Sequence, residues 1–258
     1  MHYAQSLLFM FILCGSGCSL SRISTLTESA PVSIPSHTAR NQFSSQIGYG
    51  GKRGFDGSLS YALTNHVALG GSAFINQQIF QDNPLPGWSD GYALTVNSVY
   101  WEGQASYFRT VGKSSVWALT GGYGSGSRQL RWIENQLDAR YGRYFIQTSY
   151  SRVGPSNRQV GIGVKLHNTR YGSASLQEQT IPNISVLTRP HRGVLGIDVA
   201  QTVHLPLSSI LAFSGQLGVY VPLGQVRLAT TSGSSINGYN NLGLIATAGF
   251  VLSLPKKR

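Results

Sequence analysis

Lys165 and Asp198 are the two residues of this 258-residue chain whose placement comes nearest to a reacting pair. An ammonium beside a carboxylate can pass a proton when a cleft shifts its pKa. On neighbouring strands the same two groups simply form an ion pair. If their strands pair symmetrically about the connection Gly172–His191, the two side chains meet, and a salt bridge filling an interior is the expectation. Asp198 and His204 have the same parity, but six residues of extended chain set them about 20 Å apart, too far for a dyad. Gly112-Lys113-Ser114 resembles the end of a phosphate loop, yet position 107, where the motif needs glycine, is Tyr107, and a turn without a following helix is expected there. Gly121 to Gly126 is rich in glycine but has no helix to hold a pyrophosphate. His37, His66, His167, His191 and His204 stand at no metal-ligand spacing. No metal, no cofactor and no catalytic group is expected.

The elements that carry these residues show a period of two. Phe55, Leu59, Tyr61 and Leu63 alternate with Asp56, Ser58, Ser60 and Ala62. Val99, Trp101, Ala105 and Tyr107 alternate with Glu102, Gln104 and Ser106, and Val160, Ile162, Val164 and Leu166 with Gln159, Lys165 and His167. Ten such segments run from Phe43 to Leu254, and none has a charge on its apolar face. The other face carries Asp56, Glu102, Arg143, Lys165 and Asp198 among Ser, Thr, Gln and Gly. A water-exposed face would hold more charge, Lys above all. Small uncharged groups suit a narrow enclosed interior, where every buried charge must find a partner. Composition agrees. Charged residues make only 11% of the chain against 31 Gly and 13 Tyr, which excludes a helical bundle, and 41% hydrophobic content excludes disorder.

The connections alternate in length. Short turns are expected at Thr64–His66, Val111–Ser115, Gly154–Asn157 and Pro206–Ser208, and long connections at Asn76–Val96, Ser125–Tyr141, Gly172–His191 and Gly224–Asn241. The short link Gly51–Gly54 takes the place of a first long one. This is the pattern of an antiparallel up-and-down transmembrane β-barrel with short periplasmic turns and longer external loops. Residues 43–254 thus resemble the small outer-membrane β-barrel proteins of Gram-negative bacteria, with eight to ten strands, eight if the first hairpin lies outside the wall. The resemblance implies an outer-membrane location. It includes two enzyme types, neither matched here. Omptin-type proteases carry an Asp pair and a His–Asp pair at the outer rim, whereas the five Asp of this chain include no adjacent two. Lipid A deacylases place His and Ser close together on a strand, whereas His204 is cut off from Ser208 by Pro206.

The chain divides into a signal peptide at 1–17, a flexible Ser/Thr/Pro-rich tether at 18–42, the all-β barrel at 43–254 and a basic tail at 255–258. Leu7 to Leu13 is the apolar core of the signal. Gly15-Ser16-Gly17 before Cys18 resembles a bacterial lipoprotein signal, which implies a lipid on Cys18. Both cysteines fall within this segment, so no disulfide is expected in the mature domain. The net charge of +11 is scattered, without the stripe or motif of a nucleic-acid binder. Arg128, Arg131, Arg189, Arg192 and Arg227, with Trp88, Trp132, Tyr171 and Tyr239, are expected in external loops. Arginine suits phosphate and carboxylate groups, and aromatic rings suit sugars. The leading expectation is therefore a structural or surface-binding barrel, not an enzyme, whose partners are membrane lipid and lipopolysaccharide or an acidic glycan. Rival readings are a narrow solute channel, a tethered periplasmic β-sandwich in an envelope complex, and a lipid-modifying enzyme.

Overall fold

The computed structural model describes residues 32–34, 37–50, 54–81, 93–132, 135–154, 157–178, 193–223, 226–229, 235–238 and 243–254. The alternating segments satisfy their backbone groups only by pairing sideways, and ten of them do so in a ring that leaves no edge. The strands are β1 (Phe43–Gly50), β2 (Gly54–Ala62), β3 (Val67–Gln81), β4 (Ala93–Val111), β5 (Ser115–Trp132), β6 (Asn135–Val153), β7 (Gln159–Glu178), β8 (Val194–Pro206), β9 (Leu211–Pro222) and β12 (Gly243–Leu254). Neighbours in sequence are neighbours in the wall, and β1 closes on β12 from Phe43↔Leu254 to Tyr49↔Ala248. A separate hairpin of β10 (Val226–Ala229) and β11 (Ser235–Gly238) lies within the connection from β9 to β12, where no strands were expected.

The two faces separate as their alternation requires. Outward on every strand lie exposed apolar side chains, among them Ile47, Phe55, Ile75, Trp101, Ile146, Ile162, Val199 and Phe250. Inward lie Asp56, Glu102, Arg143, Lys165 and Asp198, all buried. An apolar exterior around a charged interior inverts the order of a water-soluble protein. It is stable only with lipid outside, which makes this an outer-membrane-type barrel. Aromatic residues mark both lipid boundaries. At the end with short turns His66, Tyr107 and Trp117 are in ring contact, and Trp117 donates to Thr148 Oγ1 at 3.1 Å. At the other end Tyr49 meets Phe55, and Tyr123 meets Tyr144. Gly112 turns β4 into β5 at φ 68°, a conformation that glycine adopts without strain.

The wall is taller than the alternation suggests. The expected long connection Ser125–Tyr141 is largely strand, since β5 runs to Trp132 and β6 begins at Asn135. β3 likewise reaches Gln81, β4 starts at Ala93, and β7 reaches Glu178. These extensions stand above the lipid belt. Water wets their outer face there, so the apolar-polar contrast that reveals a strand in the membrane is lost.

Candidate functional site

Inward side chains fill the lumen in layers. The floor, at the short-turn end, is an apolar cluster of Ala62, Ala68, Phe108, Val116 and Ala118. Over it Gln104 on β4, Gln147 on β6 and Gln216 on β9 reach inward, all buried. Above these comes a charged layer. Lys165 on β7 donates to both carboxylate oxygens of Glu102 on β4, at 2.8 and 3.0 Å. Its ammonium also lies 4.0 Å from the centre of the Phe145 ring, and Tyr100 Oη donates to Glu102 Oε2 at 2.9 Å. Arg143 faces the rings of Tyr100 and Tyr141 at 5.1 and 5.8 Å and donates from Nε to Thr169 Oγ1 at 3.0 Å. His167 Nε2 lies 3.6 Å from Asp198 Oδ2, and the imidazole stacks on Tyr220. Tyr171 packs against Tyr141 above. Two cations and two anions thus share one buried layer, where each needs its partners to offset lost hydration.

Lys165 and Asp198 face each other in the ladder between β7 and β8, as the spacing predicts. The Lys165 ammonium nevertheless reaches across to Glu102, a partner on a strand three places away. Sequence reasoning missed this pair, and it missed His167 beside Asp198. Thr169, His167 and Asp198 stand in the order of an acid–base relay, with Thr169 Oγ1 3.4 Å from His167 Nδ1. The Thr169 hydroxyl already accepts from Arg143, and all three residues are sealed inside the layer. His204 is buried lower in the lumen, and His66 lies at the β2–β3 turn with Nδ1 3.3 Å from Phe108 O. Among the described residues no three His, Cys, Asp or Glu cluster as metal ligands do.

The five arginines expected in external loops are distributed differently. Arg128 lies on β5 and points into the barrel, buried, because β5 continues through this position and its even-numbered residues face inward. Tyr171 is on β7 and inward for the matching reason. Arg131 is exposed near the outer end of β5, and Arg227 lies on β10. Arg189, Arg192, Trp88 and Tyr239 lie outside the described residues, as do Cys18, residues 1–17 and the basic tail. Arg140 on β6 and Arg170 on β7 are exposed on the outer face. Arg140 pairs with Ser173 and Gly142 with Arg170, with a register shift between Arg140 and Tyr141, so the two arginines lie on adjacent strands above the Tyr123–Tyr144 pair. Beside them Asp138 accepts from Gln129 at 2.9 Å and from Gln136 at 2.7 Å, so amide donors already hold that carboxylate. Continuing the β6 parity from Tyr144 and Ile146 would have placed Arg140 outward.

No protein-family model matches the chain, and no curated protein matches it. Solved structures with a similar shape include the outer membrane protease OmpT from Escherichia coli, at 12% identity over 84% of this chain and 94% of that one, TM-score 0.46. CarO2 of Acinetobacter baumannii is similar at 9% identity over 83% and 98%, TM-score 0.31. CarO of the same organism is similar at 12% over 81% and 96%, TM-score 0.30. Likeness at this level assigns no activity to the chain.

Proposed function

We propose that this outer-membrane barrel has a structural and surface-binding role, holding an anionic glycolipid such as lipopolysaccharide against its outer wall. The observation that carries the reading is the exposed Arg140–Arg170 pair directly above the tyrosines at the lipid boundary, with Arg131 further up β5. Guanidinium groups match phosphate oxygens in paired hydrogen bonds, and aromatic girdles sit at headgroup level. A phosphorylated glycolipid in the outer leaflet presents its phosphates at that height. A solute channel is the less favoured reading, because Lys165, Glu102, Arg143 and their tyrosines occupy the lumen.

The test is lipopolysaccharide binding to the folded protein in detergent, comparing the parent with Arg140→Ala/Arg170→Ala. Two charge-assisted contacts at about 1 kcal/mol each predict binding weaker by about thirtyfold. Arg109→Ala, at the opposite end of the wall, should leave binding unchanged. Equal affinity for parent and double variant would remove the proposal.

A further inference from the structure

The stretch expected to be a flexible tether ends inside the barrel. Gln42 Oε1 accepts from the backbone N–H of Thr38 and Ala39, and Asn41, at φ 63°, donates from its N–H to Ala62 O, which turns the chain beneath the wall into β1. Before that turn, His37 and residues 32–34 lie within the lumen. His37 rests on the apolar floor, its Nε2 2.8 Å from Ser60 Oγ and its ring against Phe108. Residues 32–34 lie higher, at the layer of glutamines.

There the wall contacts the backbone. Gln216 Nε2 donates to the carbonyl of Val32 at 2.7 Å, Gln147 Nε2 donates to the carbonyl of Ser33, and Gln104 Nε2 donates to Ser33 Oγ at 3.3 Å. The three glutamines come from β9, β6 and β4, no two of them adjacent. Facing the segment on β7 are Gly161 and Gly163, at positions where longer side chains would project inward. A methyl group at Gly163 would stand 2.6 Å from Val32 Cγ1, and one at Gly161 3.0 Å from Ile34 Cγ2. The two glycines form a notch that the Val32 and Ile34 side chains fill, and Val32 is 2% exposed. Buried amide donors cost free energy unless something accepts from them, and here a peptide does.

We propose that the lower lumen is a binding site for an extended peptide, recognised by its backbone and by two aliphatic side chains, and that residues 32–34 of the same chain occupy it. The site stands independently of the glycolipid reading. Gln216 and Gln147 donate to main-chain carbonyls, which any residue presents, Gln104 donates to the Ser33 hydroxyl, and the glycine notch selects a Val-x-Ile pattern.

The test uses the full chain with Cys14→Ser and Cys18→Ser, folded in detergent. Ser33→Cys is expected to react with a maleimide about tenfold more slowly than after addition of Val32→Arg/Ile34→Arg, whose bulk does not fit the notch. These substitutions are on none of the wall strands, and the shift of unboiled barrel on a gel confirms folding. The evicted form, without the Ser33→Cys change, should bind a fluorescent synthetic peptide of residues 30–38, and the parent should not. Adding Gly163→Val to the evicted form should abolish that binding. A thiol at position 33 as reactive in the parent as in the evicted form overturns the proposal, and so does failure of the folded evicted form to take up the peptide.

Discussion

Glu102 and Lys165 offer a direct test of how the lumen is held together. Their atoms are fully buried and 2.8 Å apart, where the Coulomb attraction is about 6 kcal/mol at an effective dielectric of 20. Most of that offsets the hydration both groups have lost, so the net worth of the pair is small while the cost of breaking it is large. Lys165→Met leaves a carboxylate held by the neutral Tyr100 hydroxyl, and about 3–5 kcal/mol of stability should be lost. Glu102→Gln leaves a cation that keeps the Phe145 ring at 4.0 Å and an amide oxygen, so its cost should fall at the lower end of that range. The double variant buries no unmatched charge and should return to within about 1–2 kcal/mol of the parent. Urea unfolding in lipid vesicles, followed by tryptophan fluorescence, gives all four free energies. A double variant whose loss equals the sum of the two singles would refute the pairing. Singles that each cost under about 0.5 kcal/mol would show that water reaches the layer.

Three other perturbations probe separate parts of the molecule. Ile146→Arg places a charge midway along the lipid-facing part of β6 and should destabilise the barrel by about 2–4 kcal/mol in vesicles, with a loss within about 0.5 kcal/mol contradicting the position of the belt. Gly124→Ala would drive a methyl group into Tyr100 Oη, forcing that hydroxyl off Glu102. The expected loss is about 1–3 kcal/mol, and it should shrink without vanishing when Tyr100 is already Phe, because the methyl would still stand 2.5 Å from the ring carbon Cζ and 2.6 Å from the Trp101 carbonyl oxygen. His37, outside the strands, has its pKa held below the ordinary value of 6.5 by burial. Seating of the 32–34 segment should therefore be strongest above that value and weaken as pH falls below it, because only the released imidazole takes up a proton. Labelling of Ser33→Cys, measured against an exposed control thiol, should rise on acidification, and the rise should vanish with His37→Asn. A rise that persists in that variant would assign the effect to another group.

What could be read from the sequence depended on where lipid touches the chain. Val160, Ile162, Val164 and Leu166 face hydrocarbon while their neighbours face the lumen, and their strand was plain. The charges Asp56, Glu102, Arg143, Lys165 and Asp198 marked the inner face for the same reason. The contrast ends above the belt. Ser127, Gln129 and Arg131 alternate with the inward Arg128 where both faces are polar, so a strand looked like a loop and Arg128 was assigned to the outside. Ladder register placed Lys165 opposite Asp198 correctly. The long side chain instead crosses to β4, a contact set by the curvature of the wall that no pairwise register encodes. Val32 to Ile34 is too short for a period and lies in a Ser/Thr/Pro-rich stretch, so nothing local distinguished it from a linker. Two glycines in strict alternation at 161 and 163 on the inner face were the available sign that something other than a side chain fills that space.

The strands are unequal in a consistent direction around the ring. β3 to β7, of 15 to 20 residues, stand together on one side, and β8, β9, β12, β1 and β2, of 8 to 13, on the other. The short turns keep the opposite end level, so the whole difference falls at the external end. The rim formed by these strands is therefore oblique at its external end, like the cut end of a quill, high from β3 to β7 and low from β8 round to β2.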